Sequence, residues 1–162
     1  MAGYKDEFND RIKEQSNLAE KRFRGYCDAH DIQYYEYGIH NHGFGKSFGL
    51  FPGIIRNTPD FITFKRHPQL VEVKGGLENI KIKLNDVESY KKWNEILPLK
   101  YFFYSLTYHT EYLIKHDSLM EYVSYCQTDF YPDNNKQYYI LECPDLESLC
   151  MLKGVVWWIV YL

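Results

Sequence analysis

Two short β-prone runs in the middle of the chain constrain the fold more than any other feature of the sequence. A turn at Arg66-His67-Pro68 separates the run 60–65 from the run 70–74, so the two predict neighbouring short strands. Side chains alternate along a strand, which places Glu72 and Lys74 on the same face. Two charged groups on one face of a short buried strand are costly unless they are paired or bound to a metal.

A further carboxylate, Asp60, begins the first of these strands. Two strands joined by a tight turn would bring Asp60 beside Glu72. Two carboxylates with a lysine next to them form a site for a hard divalent cation. The sequence therefore predicts a cation site at Asp60 and Glu72, with Lys74 adjacent.

The rest of the chain alternates between helical and strand patterns. Residues 6–30 are predicted to be helical because Phe8, Ile12, Ala19 and Phe23 share one face at helical spacing. The other predicted elements are a strand at 32–37, an ordered loop at 38–58, a helix at 85–97 with an Asn85/Glu88 capping box, strands at 101–107 and 111–115, a helix capped by Asp117, a strand at 137–143, a short helix after Pro144, and a terminal strand at 155–161. This order predicts one α/β domain over residues 1–162, with a mixed β-sheet flanked by helices.

The pattern Pro59-Asp60 followed by Glu72-Val73-Lys74 resembles the active-site motif of the PD-(D/E)XK nuclease superfamily. The predicted order of elements over residues 6–115 is similar to the restriction-endonuclease-like core of that family. The resemblance implies that Asp60, Glu72 and Lys74 are catalytic. It also implies that Asp60, Glu72 and the carbonyl of Val73 bind Mg²⁺ or Mn²⁺.

The family usually has one more acidic residue on its first helix, and Glu20 is the candidate here. At about 100° per residue, Glu20 lies at the edge of the apolar stripe of the helix, while Glu7 and Glu14 point towards solvent. The resemblance implies that Glu20 contributes to catalysis and to metal binding, directly or through water. The alternative is a solvated carboxylate paired with Arg24 four residues later.

The resemblance implies metal-dependent hydrolysis of phosphodiester bonds in DNA. Some small single-domain members of the family resolve branched DNA, such as Holliday junctions, as dimers. Two alternatives stay open. The same site would serve an RNA-directed nuclease equally well, or the fold could act as an interaction or inhibitor subunit of a larger nucleic-acid-processing assembly.

The charge distribution indicates where a nucleic acid would bind. The net charge is −3, whereas a strong non-specific polyanion binder would be basic overall. Residues 61–100, however, carry 8 basic and 5 acidic groups. The lysines predicted to contact phosphates there are Lys81, Lys83, Lys91 and Lys92. Lys46, in a glycine-rich loop, is a weaker candidate.

Several classes of protein are excluded or disfavoured by composition. The four cysteines form no C-x-x-C pair, which disfavours a zinc site or a disulfide framework. The longest apolar run, 155–162, is far shorter than the roughly 20 residues of a membrane span, so no membrane partner is expected. The N-terminus shows no apolar signal segment, which predicts an intracellular, cytoplasmic protein. A strand as apolar as 155–162 needs a cover, and a homodimer is the favoured one.

Overall fold

The computed structural model describes the backbone over residues 4–39, 45–131 and 135–152, and the side chains of residues 14–39, 47–131 and 135–147. The helices are α1 (Tyr4–Ala29), α2 (Gly53–Arg56), α3 (Leu84–Ile96), α4 (His116–Val123) and α5 (Cys143–Leu152), with a 3₁₀ helix at Gly45–Leu50. The strands are β1 (Gln33–Glu36), β2 (Phe61–Phe64), β3 (Pro68–Gly76), β4 (Asn79–Lys83), β5 (Leu99–Ser105), β6 (Thr110–Lys115), β7 (Thr128–Phe130) and β8 (Gln137–Glu142). The predicted α/β class is confirmed.

Five strands form the main sheet in the order β1-β2-β3-β5-β6. Strands β3 and β5 are parallel, and the other neighbouring pairs are antiparallel. The sheet is therefore mixed, as predicted. Tyr101, Phe102, Phe103 and Tyr104 of β5 are all buried, so β5 is covered on both faces.

Helix α1 covers one face of this sheet. Its residues Ala19, Phe23 and Cys27 are buried in a cluster with apolar side chains of β2, β3 and β5. A Cβ at Gly75 would meet the carbonyl oxygen of Gln15 at 2.5 Å. Only glycine therefore allows α1 to lie this close to the end of β3.

The opposite face is covered by α3, α4 and a second, antiparallel sheet in the order β4-β8-β7. Val87, Tyr90 and Trp93 of α3 and Leu119 of α4 are buried against it. The residues of β3 alternate between these two clusters, since Val71 and Val73 face α1 while Leu70 faces α3. Glu72 and Lys74 therefore point to the α3 side.

Several predicted details are wrong. The segment 38–58 is not a plain loop, because it contains the 3₁₀ helix and α2. Neither predicted polar cap forms: Lys83 and Lys115 are the N-cap residues, without side-chain cap hydrogen bonds. Both helices start directly after a strand, so the last strand residue occupies the cap position. Strands β4 and β7 were not predicted; the three residues of β7 are exposed and show no apolar alternation.

The predicted strand 155–161 lies outside the described residues, so its pairing and the predicted dimer remain predictions. Among the helices that the structure describes, none has the length and apolar character needed to cross a membrane.

Candidate functional site

The register of the β2–β3 hairpin brings the two predicted carboxylates together. Phe61 pairs with Val71 in this antiparallel ladder, and one step further along the ladder Asp60 stands opposite Glu72. The Oδ2 atom of Asp60 accepts a hydrogen bond of 2.7 Å from the backbone N–H of Val73. Asp60 is therefore held against β3, as the spacing predicts.

Glu72 is buried, with 4% of its surface exposed. Its Oε1 accepts a hydrogen bond of 2.6 Å from the ammonium group of Lys74. Its Oε2 is buried and accepts no hydrogen bond of ordinary length from a described residue, although the Tyr90 hydroxyl lies near this carboxylate. An unpaired buried carboxylate oxygen carries a substantial desolvation cost, and a cation bound there would remove it.

The electrostatics of the cluster follow from this proximity. Burial and then the charge of Glu72 raise the pKa of Asp60 well above its ordinary value, although Lys74 and the N–H of Val73 lower it in part. Burial lowers the pKa of Lys74, but the carboxylates of Glu72, Asp86 and Asp60 outweigh burial and raise it above its ordinary value. The site thus favours a protonated Lys74 and disfavours two ionised carboxylates side by side.

An open cleft of about 360 Å³ lies over these groups. Its lining includes Gly38, Ile39, Phe48, Arg56, Asn57, Thr58, Asp60, Glu72, Lys74, Lys83, Asn85, Asp86, Tyr90 and Lys136. We call it the carboxylate cleft. It opens at the start of β2, along the end of β3 and at the first turns of α3.

Helix α3 adds two residues to the site, Asp86 and Tyr90, and Asp86 was not predicted from the sequence. Asp86 lies in the first turn of α3 and is close enough to raise the pKa of Lys74. The Lys74 ammonium lies 6.0 Å from the centre of the Tyr90 ring, within the range of a cation–π contact. Ser89 instead accepts a hydrogen bond from Asn57. An acidic residue in the first turn of a helix was the only local signal for Asp86, and such residues are common.

Glu20 has the partner that the alternative interpretation required. Its carboxylate accepts a hydrogen bond of 3.1 Å from Arg24, which also binds Glu36 at 2.6 Å. Glu20 does not line the carboxylate cleft. It is nevertheless close enough for its charge to contribute to the raised pKa of Asp60.

The oxygen atoms of the cleft fit a hard divalent cation. Asp60 and Glu72 provide two carboxylates, and Mg²⁺ is commonly bound by one or two carboxylates together with waters and substrate phosphates. The N–H and C=O groups of one strand residue point to the same neighbouring strand. Because the N–H of Val73 binds Asp60, the carbonyl of Val73 points to the same side of β3 as Asp60. No cluster of three or more His, Cys, Asp or Glu side chains suited to a metal occurs in the described part of the chain.

Of the predicted phosphate-binding lysines, Lys81 and Lys83 line an opening, whereas Lys91 and Lys92 do not. A second opening of about 650 Å³, lined by Lys81 and Tyr131, shares Lys74, Lys83 and Asp86 with the carboxylate cleft. We call this opening, which runs along β4, the β4 groove.

In the β4 groove, the Lys81 ammonium lies 3.3 Å from the Tyr138 hydroxyl and 4.6 Å from the centre of that ring. Lys91 forms an exposed ion pair of 2.8 Å with Glu88. Lys91 and Lys92 line neither opening. The side chain of Lys46 lies outside the described residues.

The glycines after Lys74 have a structural explanation. The α1 backbone approaches Gly75, and a Cβ at Gly76 would collide with the carbonyl oxygen of Asn79. The close approach at both glycines is therefore made by the protein's own backbone.

Comparisons with known proteins add one similarity of shape. No family model matches the chain, and no curated protein matches it in sequence. Among solved structures, the chain is similar to D212, a nuclease from a fusselovirus, with 11% sequence identity and a TM-score of 0.41. The alignment covers 95% of this chain and 98% of the viral one.

Proposed function

We propose that the protein is a metal-dependent nuclease that hydrolyses phosphodiester bonds in DNA, with the active site of a PD-(D/E)XK enzyme. The observation that supports this most directly is the buried, unpaired Oε2 of Glu72 opposite Asp60 in an open cleft. A carboxylate pair with an unsatisfied oxygen is costly in an apo protein, and a divalent cation compensates that cost.

Asp60, Glu72 and the carbonyl of Val73 would hold Mg²⁺ or Mn²⁺. When bound, the cation acts as a Lewis acid that withdraws negative charge from a phosphodiester and makes water more acidic. The hydrogen bond from Val73 to Asp60 and that from Lys74 to Glu72 keep both carboxylates in place before substrate arrives.

Lys74 acts as a cation in this proposal. Its raised pKa keeps the amine protonated at neutral pH, so it donates hydrogen bonds and does not serve as a general base. From its position beside Glu72 it orients the attacking water or stabilises negative charge that develops on the phosphate oxygens. The charge of Asp86 and the ring of Tyr90 stabilise the ammonium group from the α3 side.

The β4 groove extends the carboxylate cleft and provides a path for the strand on one side of the scissile phosphate. Lys83 and Lys81 follow one another along this groove and would contact successive phosphates. Glu20 takes no direct part in this proposal as long as it is bound to Arg24, and would contribute only after release from that ion pair.

The test is a cleavage assay of the purified chain against linear, nicked, branched and single-stranded DNA and against RNA. Reactions contain Mg²⁺, Mn²⁺ or EDTA. We expect cleavage of DNA with Mg²⁺ or Mn²⁺, none with EDTA, and a loss of at least a hundredfold in Asp60→Asn, Glu72→Gln and Lys74→Met. Glu95→Gln, an exposed carboxylate on α3, is the matched control and should cleave at the wild-type rate.

Wild-type cleavage by Asp60→Asn or Glu72→Gln would contradict the assignment of the site. Cleavage of RNA alone would replace the proposed substrate and keep the site. Cation binding at Asp60 and Glu72 without cleavage of any substrate would favour the interaction-subunit alternative.

A further inference from the structure

A second cavity lies on the α1 side of the sheet, away from the carboxylate cleft. It measures about 300 Å³ and its lining combines an apolar wall with basic groups. The apolar wall includes Phe23, Tyr26, Cys27, Ile32, Val71 and Leu113, and the basic groups are Lys65, Arg66, His67 and Lys100. We call this cavity the cationic pocket.

Lys100 is the most unusual residue of the cationic pocket. It is half-buried, and its direct cross-strand neighbour is Lys115. Like charges directly opposite each other on a sheet destabilise it. Burial and then the charge of Lys115 lower the pKa of Lys100, so keeping this amine charged costs the apo protein stability.

The surrounding acidic groups do not neutralise these cations. None of the ion pairs between described side chains involves Lys65, Arg66, Lys100 or Lys115. Burial raises the pKa of Glu111, on the same strand as Lys115, and the charges of Arg22 and His30 lower it in part. Burial and then the charge of Asp28 raise the pKa of Cys27, which lines the pocket. The lining of the pocket therefore contains basic side chains and no acidic one.

Shape and chemistry together narrow the class of ligand. The volume is at the lower end of the range for small-molecule sites. The half-buried Tyr26, whose ring also stacks on His30 at 4.3 Å, lies beside the basic groups. A ligand with an anionic group and a flat apolar body would contact the basic groups and the apolar wall at the same time. We propose that the cationic pocket binds a nucleotide, with its phosphate at Lys100 and Arg66 and its base against the apolar wall.

The phosphate can belong to a free mononucleotide or to a nucleic-acid strand, and the test separates these sources. Binding is measured by calorimetry in EDTA with 5′-AMP, adenosine, inorganic phosphate and a short oligonucleotide carrying a 5′-phosphate. The protein carries Asp60→Asn and Glu72→Gln, so that the carboxylate cleft is neutralised and no substrate is consumed. This design makes the result independent of whether the protein is a nuclease.

We expect 5′-AMP to bind at least tenfold more tightly than adenosine or phosphate alone. Adding Lys100→Gln and Arg66→Gln should weaken AMP binding at least tenfold. Lys21→Gln, an exposed lysine on α1, is the control and should stay within twofold. If the oligonucleotide displaces AMP and its binding also depends on Lys100 and Arg66, the phosphate belongs to a nucleic-acid strand. If the oligonucleotide does not displace AMP, the ligand is a free mononucleotide.

A second measurement locates the ligand. AMP at saturating concentration should protect Lys100 from acetylation, read by mass spectrometry, and leave Lys21 unprotected. No AMP binding at millimolar concentration would overturn the proposal. Binding that is unchanged by Lys100→Gln with Arg66→Gln would also overturn it.

Discussion

At the end of β3, two carboxylates face each other while only one lysine balances them. Glu72 has one oxygen bound to Lys74, and the other accepts no hydrogen bond of ordinary length from a described residue. Asp60 stands opposite, and burial and Glu72 raise its pKa. Such a cluster reduces the stability of the protein, because the charge of the buried Glu72 lies next to that of the half-buried Asp60.

Replacing Asp60 by Asn should therefore stabilise the protein in EDTA at pH 7. The folded-state pKa of Asp60 lies above the unfolded value of about 3.9. The free energy of unfolding of the wild type therefore falls as the pH rises from the unfolded pKa to the folded one. In urea titrations, Asp60→Asn should have a higher free energy of unfolding than wild type at pH 7 and an equal one at pH 3.5. Mg²⁺ should stabilise the wild type and not the variant.

The exposed Glu95→Gln is the control, with a change below about 0.5 kcal/mol. An Asp60→Asn protein that is less stable than wild type at neutral pH would contradict the proposed repulsion.

His116 provides a second prediction, outside the site. It is buried, and its Nδ1 lies 2.9 Å from the Tyr101 hydroxyl. Burial lowers the pKa of His116, and the charge of Asp117 offsets this only in part. Its stabilising contribution is complete above the unfolded pKa of about 6.5 and is lost as the pH falls towards the lower folded value.

His116→Gln should make the free energy of unfolding less dependent on pH between 7 and 5. Urea titrations across this range provide the measurement. Exposed His67→Gln should leave the wild-type slope intact, and an equal slope in His116→Gln and wild type would refute the prediction.

Among the elements, β3 determines the geometry of the site because its two faces meet different partners. One face packs against α1 and the other carries Glu72 and Lys74 towards α3. The contact of α1 with Gly75 sets how close the helix lies to the end of this strand.

Gly75→Ala should destabilise the protein by about 1–3 kcal/mol, the usual cost of overpacking. The new Cβ would meet Gln15 of α1 at 2.5 Å, so α1 must move. Thermal unfolding measures the change. Gly25→Ala, in α1 with nothing within 4 Å, is the matched control and should be stabilising by about 0.5–1 kcal/mol. Equal effects at the two positions would contradict this packing.

The strand β4 and the helix α3 should differ in their contribution to nucleic-acid binding. Lys81 and Lys83 lie along the β4 groove, whereas Lys91 and Lys92 of α3 line neither opening. A plot of the logarithm of the binding constant for duplex DNA against the logarithm of the salt concentration has a negative slope. Neutralising Lys81 and Lys83 should make this slope less steep, by up to about 0.9 for each phosphate that these lysines neutralise in the wild type.

Neutralising Lys91 and Lys92 is the matched control, with the same change in net charge. Anisotropy titrations from low to moderate salt compare the two pairs. The opposite ranking would place the nucleic acid across α3 and revise the proposed path.

On the scale of the whole molecule, the main sheet separates two apolar clusters, and the candidate site lies on the α3 side of it. The cationic pocket lies on the α1 side. A protein that used both the carboxylate cleft and the cationic pocket would bind ligands on the two opposite faces of the main sheet.

We also propose that the protein forms a homodimer, from the apolar segment 155–162 in the sequence. Light scattering across the micromolar range should give about twice the mass of one chain. A variant with two lysines in place of Val156 and Ile159 should shift to monomer while retaining its far-UV spectrum. A soluble wild-type monomer at all concentrations would contradict the proposal.

Local patterns in the sequence were enough to predict the five strands of the main sheet and the proximity of Asp60, Glu72 and Lys74. Alternation over residues 70–74 placed Glu72 and Lys74 on one face, and the short turn before it brought Asp60 opposite Glu72. These relations span few residues, so strand geometry alone determines them. The alternating helices and strands likewise indicated the α/β class.

Tertiary structure alone decided which residues of distant elements join the cluster. Asp86 and Tyr90 reach Lys74 because α3 packs on the same sheet face as Glu72, and Glu20 binds Arg24 although helical periodicity placed it near the site. Periodicity determines the face of a helix a residue occupies, but not what that face meets. That depends on how helices and sheets pack, through contacts between residues far apart in the chain.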